Sequence, residues 1–308
     1  MKPWIKNSLY LISFLTIGYG ISVLCNTQTK SFRTGDITSA FPFDSRWQPE
    51  GSPYLDSPLD IEKALNAPFY FLATGGSAYV FRSENDQYVL KLFQADRLCP
   101  PSWCTSFISQ TFIPNLAKKI FNKKSSQKNL QFSSYKMALE ELPTQTGVVY
   151  LHLNPTSHHK NTLTLIDNLG IKHTLPTDQT AFVLQKKASR FSSYFKSLLL
   201  NNDLDEAKRL LSDFAFFLKE RAMKGIRDGD ITPRFNLGML GKSLVFYDID
   251  QLRTSRLEST KLAHMMKDAN EMFLWLEKKN TDLILFLKEE IQRLSQEEPT
   301  DSLDLENK

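Results

Sequence analysis

Leu72-Ala73-Thr74-Gly75-Gly76-Ser77-Ala78-Tyr79-Val80, followed by Tyr88-Val89-Leu90-Lys91, alternates apolar runs with a turn of small residues and ends on a lysine among apolar neighbours. Apolar and aromatic residues at Phe69 to Leu72 and Tyr79 to Arg82 read as two strands around a turn of small residues. Gln87 to Phe93 follows the polar turn Ser83-Glu84-Asn85-Asp86 as a third strand, which predicts a three-stranded antiparallel meander. Small residues in such a turn let backbone N–H groups approach an anion. Lys91 stands among apolar neighbours on the third strand, so its ammonium either meets something anionic or snorkels to a strand edge.

Outward from this stretch, the chain has 308 residues, 41% of them hydrophobic, enough for one large or two small domains and too apolar for a wholly disordered chain. Its 38 basic and 34 acidic residues leave a net charge of +4, so no nucleic-acid partner is expected. Lys2 and Lys6 precede a nearly charge-free run, and its apolar heart, Leu9 to Cys25, is 17 residues long. That is at the short end of the roughly 17 to 25 residues a spanning helix needs. Residues 1–28 are therefore expected to be a transmembrane anchor or signal segment, and Gly18-Tyr19-Gly20 is a poor cleavage site, which favours the uncleaved anchor. The N-terminal amine, Lys2 and Lys6 slightly outweigh Lys30 and Arg33, predicting a single-pass protein with its C-terminal domain outside the cytoplasm. Cys99 and Cys104 either close a small disulfide loop or stay as two thiols.

Residues 29–60, with Pro42, Pro49, Pro53 and Pro58, read as an extended linker. Residues 61–187 form a β-rich lobe, interrupted at 98–130 by an insertion bearing Lys118, Lys119, Lys123, Lys124 and Lys128. Its part 116–128 either touches anionic lipid or is a solvated face. A short helix is expected at Gln131 to Leu142, carrying Glu140 and Glu141, with strands at Gly147 to Leu153, Thr162 to Asp167, Ile171 to Leu175 and Ala181 to Lys187. Residues 188–295 are a helical lobe. Asp203 and Glu206 form a capping box, Leu210, Leu211, Phe214, Phe217 and Leu218 give a buried stripe, and a hairpin ends in the strand Ser243 to Ile249. Amphipathic helices follow over Leu262 to Leu276 and Leu287 to Leu294, and 296–308 is an acidic tail expected to be disordered.

Two acidic stretches complete the constellation: Arg227-Asp228-Gly229-Asp230-Ile231-Thr232-Pro233-Arg234-Phe235-Asn236, and the strand Leu244-Val245-Phe246-Tyr247-Asp248-Ile249-Asp250. A carboxylate emerging from an apolar strand needs a partner, and a magnesium ion bridging phosphate oxygens is one. Gly241-Lys242-Ser243 resembles the end of a Walker A loop, but Asn236 stands where its first glycine belongs and a strand follows where a helix is required, so a hairpin turn is expected. His158 and His159 have no partner at metal-ligand spacing.

In this order the glycine turn, Lys91, the acidic loop and Asp248 resemble the divergent protein kinase-like superfamily, of the protein kinase, aminoglycoside phosphotransferase or lipopolysaccharide kinase type with a reduced C-lobe. The resemblance implies an α+β, two-lobed protein kinase-like fold with a β-rich N-lobe and a small helical C-lobe, preceded here by the membrane segment. It implies ATP and Mg2+ as cofactors. Gly75, Gly76 and Ser77 would approach the phosphates, Lys91 would pair with them, and Glu140 or Glu141 would partner Lys91. Asp230, or else Asp228, would be catalytic, with Asn236 and Asp248 holding metal. The pattern departs from the family at Ala73 and Ala78, which replace glycines, and at Asp250, which stands in place of the last glycine. Asn236 lies six residues after Asp230 and eight after Asp228, where the family spacing is about five. No Ala-Pro-Glu-like segment follows Asp250. The implied function is a membrane-anchored kinase-like protein that binds ATP-Mg and transfers a γ-phosphate to an unidentified hydroxyl acceptor. The alternative is an inactive pseudokinase or exported membrane-tethered scaffold.

Overall fold

The computed structural model describes residues 3–37, 41–50, 55–99, 114–157, 162–229, 231–254 and 261–297. They form an α+β fold that divides into two compact units, residues 1–129 with 149–187 and residues 130–148 with 188–308.

The first unit opens with α1 (Pro3–Gln28), a helix whose described side chains face outward almost throughout. Its stretch Tyr10–Gln28 has a mean hydropathy of 1.4 and is the one helix among the described residues long and apolar enough to cross a membrane. After α2 (Pro58–Asn66) come β1 (Phe69–Thr74), β2 (Ala78–Ser83), β3 (Tyr88–Phe93), the short α3 (Ala95–Leu98) and α4 (Pro114–Glu141). The part of α4 from residue 130 on and the single turn α5 (Pro143–Thr146) belong to the second unit; β4 (Val148–His152), β5 (Thr162–Ile166), β6 (Lys172–Pro176) and β7 (Phe182–Lys186) return to the first. These seven strands make one sheet in the order β4-β7-β3-β2-β1-β5-β6. The expected meander is its centre. β1 also takes β5 as a parallel neighbour, with Phe69 opposite Leu165 and Tyr70 opposite Ile166.

Period-2 alternation sorts the faces of this sheet. Tyr79 and Phe81 of β2 and Tyr88, Leu90 and Leu92 of β3 join one apolar core with Phe69, Leu163, Leu165, Phe182 and Leu184. Val89, Lys91 and Phe93 therefore turn to the opposite face. All of β3 is buried, as befits a strand flanked by β2 and β7.

Residues 29–60, expected as an extended linker, instead carry residues packed into the first unit in their described parts, 29–37, 41–50 and 55–60. Phe32, Ile37, Phe41 and Trp47 are buried, and the Phe32 ring meets Phe71, Tyr79, Phe81 and His173 at centroid distances of 5.1–6.1 Å. Asp44 and Asn154 exchange backbone-to-side-chain hydrogen bonds of 3.0 and 2.9 Å, and the Asp56 carboxylate takes both Lys186 Nζ (2.6 Å) and the Tyr88 hydroxyl. Scattered aromatic anchors do here what a continuous aliphatic run would do elsewhere. Phe32→Ala should lower stability by about 3–5 kcal/mol, the usual cost of emptying a buried phenylalanine site; urea unfolding of the detergent-solubilised chain measures it.

The helix expected at 131–142 is also longer than its apolar pattern. It begins at Pro114 and runs unbroken to Glu141. Lys118, Lys119 and Lys123 are exposed, and Lys124 Nζ donates to the Asp96 carbonyl. Good helix formers sustain these turns without a buried stripe to announce them.

The second unit holds β8 (Ser189–Arg190), α6 (Phe191–Leu200), α7 (Leu204–Met223), β9 (Ile226–Asp228), β10 (Leu237–Leu240), β11 (Ser243–Phe246) and β12 (Leu252–Thr254). Helices α8 (Lys261–Asp268), α9 (Asn270–Glu277) and α10 (Asp282–Gln296) follow. Asp203 caps α7 by accepting from the Glu206 N–H at 3.2 Å. The core lies where Leu210, Leu211 and Phe214 of α7 join Phe246, Met265, Leu287 and Ile291, all essentially buried. The amphipathic stretch over 262–276 divides into two helices at Ala269, whose N–H still bonds the Met265 carbonyl at 2.9 Å.

β10 pairs with β11 on one side and β8 on the other. The hairpin turn carries Gly241 at φ +60°, a left-handed conformation suited to glycine and not to a phosphate loop. Gly238 has no room for a side chain: a Cβ would lie 2.7 Å from Ala188 Cβ and 2.8 Å from Tyr247 Cδ1. Gly238→Ala should destabilise the chain by about 1–3 kcal/mol through overpacking, measurable by thermal unfolding.

Candidate functional site

In the first unit the glycine turn closes through a hydrogen bond from Gly75 N–H to the Ala78 carbonyl (2.8 Å). A Cβ at Gly75 would stand 3.2 Å from that oxygen, whereas one at Gly76 would meet nothing within 4 Å. Gly76 thus leaves open space above the turn. Ser77 is buried and its carbonyl accepts from Gln94 N–H at 2.8 Å; Arg97 Nη1 donates to the Gly76 carbonyl at 2.6 Å. Arg97 was not legible as a turn-holding residue, since nothing in its own neighbourhood signals a partner 21 residues earlier.

Lys91 pairs directly with Val80 of β2 and Val183 of β7, and is 7% exposed. It shares its face with Val89 and Phe93, away from the aromatic core. The turn residues and Lys91 are therefore joined through one strand pairing, Ala78 opposite Phe93 and Val80 opposite Lys91.

In the second unit, the β10–β11 register sets Leu237 opposite Phe246, and Tyr247 N–H donates to the Asn236 carbonyl at 3.0 Å. Asn236, buried, and Asp248, exposed, thus leave the same end of one hairpin although twelve residues apart in sequence. An amide and a carboxylate are oxygen donors of the kind a hard divalent cation takes, and magnesium is commonly held by one or two carboxylates with phosphate oxygens completing its shell. Among the described residues no three His, Cys, Asp or Glu side chains gather into a protein-only metal site.

The segment after Asp248 is held from α4. Ser134 Oγ donates to the Ile249 carbonyl and accepts from Leu252 N–H at 2.9 Å, and Gln131 Nε2 reaches Asp250 Oδ2 at 3.3 Å. Next to them, burial, reinforced by the charges of Asp248 and Asp250, pushes the Tyr135 hydroxyl well above its ordinary range. These polar residues of α4 were missed because each finds its partner more than 100 residues away.

Asp228 sits in β9 with its side chain 1% exposed, facing Arg221 Nη1 at 3.4 Å. Arg221 is itself fully buried, stacks 3.8 Å above the Phe246 ring and bonds Gln145 Oε1 at 3.2 Å. The neighbouring Arg227 grips Asp268 at 2.7 Å. Glu140 pairs with Lys136 (3.8 Å) and Glu141 with Lys224 (3.3 Å). Asp230, Cys104, His158 and His159 lie outside the described residues, as does nearly all of the acidic tail. A cavity of about 530 Å³ opens beside the acidic loop, lined by Gly229, Ile231, Arg253 and Lys267 among others.

No protein-family model and no curated protein matches the chain. Among solved structures, the bifunctional kinase-methyltransferase WbdD is similar at 13% identity and a TM-score of 0.37, over 73% of this chain and 44% of that one. WbdD with the kinase inhibitor LY294002 gives 14%, 0.38, 74% and 46%, so the chain spans under half the length of these structures. Rv3197 from Mycobacterium tuberculosis, solved with erythromycin, is similar at 10% identity and 0.34, over 92% of this chain and 75% of that one. The chain has an α+β fold.

Proposed function

We propose that the chain is a membrane-anchored, kinase-like protein that binds ATP with Mg2+ and transfers the γ-phosphate to a hydroxyl acceptor. The observation that carries this reading is that Asn236 and Asp248 leave the same end of one hairpin, next to Leu237 of one strand and Phe246 of the other. Each unit carries candidate groups of its own. The glycine turn offers backbone N–H groups and Lys91 offers an ammonium to the phosphates; Asp248 and Asn236 offer oxygens to the metal. Mg2+, when bound, neutralises charge developing on the phosphate oxygens. Asp230 is the proposed group that orients the acceptor hydroxyl, and Arg221 holds Asp228 as a support beneath that loop. The cavity beside Gly229 and Ile231 has room for part of an acceptor.

Residues 1–28 are proposed as the anchor, with the body outside the cytoplasm; protease accessibility of intact cells tests that orientation. ATP chemistry there requires a compartment that holds ATP. Asp250, tied to Gln131 where a flexible glycine is usual, favours a second reading in which the chain binds nucleotide without turnover. The two separate in one experiment: γ-phosphate release by the full chain with Mg2+, compared with Asp230→Asn. An active enzyme loses turnover and keeps ATP binding in the variant, whereas a pseudokinase shows binding and no release in either form.

A further inference from the structure

We infer that the turn joining β5 to β6, Asp167 to Ile171, is a second membrane contact that sets Leu169 and Ile171 into the interfacial layer of the bilayer entered by α1. This rests on the proposed anchor and not on nucleotide binding.

The turn is built to display apolar side chains. Asp167 Oδ1 accepts from the N–H groups of Leu169 (2.8 Å) and Ile171 (2.9 Å), its Oδ2 meets His173 Nε2 at 2.8 Å, and Gly170 adopts φ +80°. Burial opposes ionisation of Asp167, but the hydrogen bonds from His173, Ile171 and Leu169 outweigh it and hold the carboxyl below its ordinary range. Leu169 and Ile171 are nonetheless 50% and 52% exposed. Turns normally place small or polar residues at such positions. Two large aliphatic side chains thus stand exposed together on a turn whose backbone the Asp167 network holds in shape.

Position identifies the partner. β5 runs parallel to β1, Tyr70 opposite Ile166, so the turn lies at the end of the sheet where β1 reaches Thr74 and the glycine turn. α1 ends there too. Asn168 Nδ2 donates to the carbonyl of Gln28, the last residue of α1, at 2.8 Å. Thr74 Oγ1 donates to the Lys30 carbonyl and the Tyr79 hydroxyl to the Ser31 carbonyl, both at 2.7 Å. The residue beside Leu169 is thus one hydrogen bond from the exit of an apolar helix that buries none of its spanning stretch in protein. Exposed Lys30 and Lys172 flank the tip and suit anionic headgroups. An apolar tip rimmed by lysines at a membrane exit matches the chemistry of the headgroup–acyl boundary, which interfacial segments enter by about 5–10 Å. Two attachment points would hold the glycine-turn end of the sheet against the membrane surface.

The test uses the full chain with Cys25, Cys99 and Cys104 changed to serine and one cysteine introduced for an environment-sensitive fluorophore, reconstituted in phosphatidylcholine–phosphatidylglycerol vesicles. Leu169→Cys and Ile171→Cys are compared with Leu15→Cys in the anchor and with Glu84→Cys in the β2–β3 turn at the opposite end of the strands. The expected result is a blue-shifted emission at positions 15, 169 and 171 that is quenched by lipids carrying a nitroxide on the acyl chain, with neither effect at 84. Quenching at 15 without quenching at 169 and 171 overturns the inference and leaves the anchor intact. A blue shift at 169 and 171 without lipid quenching means another protein surface covers the tip, and also overturns it. Loss of quenching at 15 overturns the anchor and this contact together.

Discussion

Lys91→Met should weaken MgATP binding by about 10- to 100-fold, the loss of one or two hydrogen bonds to a charged group. Methionine keeps the length and apolar contacts of the lysine stem, so a position 7% exposed between Val80 and Val183 stays filled while the ammonium is removed. A fall in affinity with an unchanged unfolding midpoint assigns the effect to the charge. Asp248→Ala should act differently. Its side chain is exposed, so the fold survives, but the metal loses its carboxylate, and ATP binding should become weak and insensitive to added magnesium. If both variants bind MgATP as the parent chain does, Lys91 and Asp248 are not the phosphate and metal residues.

Arg221→Ala should lower stability by about 3–5 kcal/mol, because it leaves the carboxylate of Asp228 buried and without its cation. The pair is fully enclosed, at 0% and 1% side-chain exposure, and the guanidinium also covers Phe246 and bonds Gln145. Replacing both partners with apolar residues of similar size, Arg221→Met with Asp228→Leu, should recover much of that loss, since no charge is then stranded. Denaturant unfolding of the single and double variants measures the cycle. If Arg221→Ala costs under about 1 kcal/mol, the pair is no more than a surface salt bridge in effect, and Asp228 is not held as described.

The contrast between these two carboxylates shows what could and could not be read from sequence. The strands around Gly75 and Gly76, the hairpin at Gly241 and the cap at Asp203 depend on neighbours within a few residues, and local pattern reveals them. Asp228 belongs to an acidic loop that reads as a catalytic-loop candidate, and only the fold brings Arg221 over it. The docking of Phe32 was hidden for a related reason: one aromatic in a proline-containing stretch carries no periodicity, yet it fills a pocket made by four rings from three strands. The lysine-rich turns of α4 have no apolar stripe, and the parallel pairing of β1 with β5 joins residues almost 100 apart in sequence. Ser134 and Gln131, which hold the segment after Asp248, are ordinary polar residues until their distant partners are known. Asn236 and Asp248 were legible as residue types, while their shared hairpin end follows from the register of β10 and β11.

Calorimetric titration of the full chain in detergent with ATP, once with Mg2+ and once with EDTA, separates magnesium-dependent nucleotide binding from binding of any other kind. Saturable binding is expected, clearly tighter with magnesium, weakened about 10- to 100-fold by Lys91→Met and made magnesium-independent by Asp248→Ala. Absence of binding under either condition, or equal affinity with and without magnesium in the parent chain, would contradict the proposed MgATP binding.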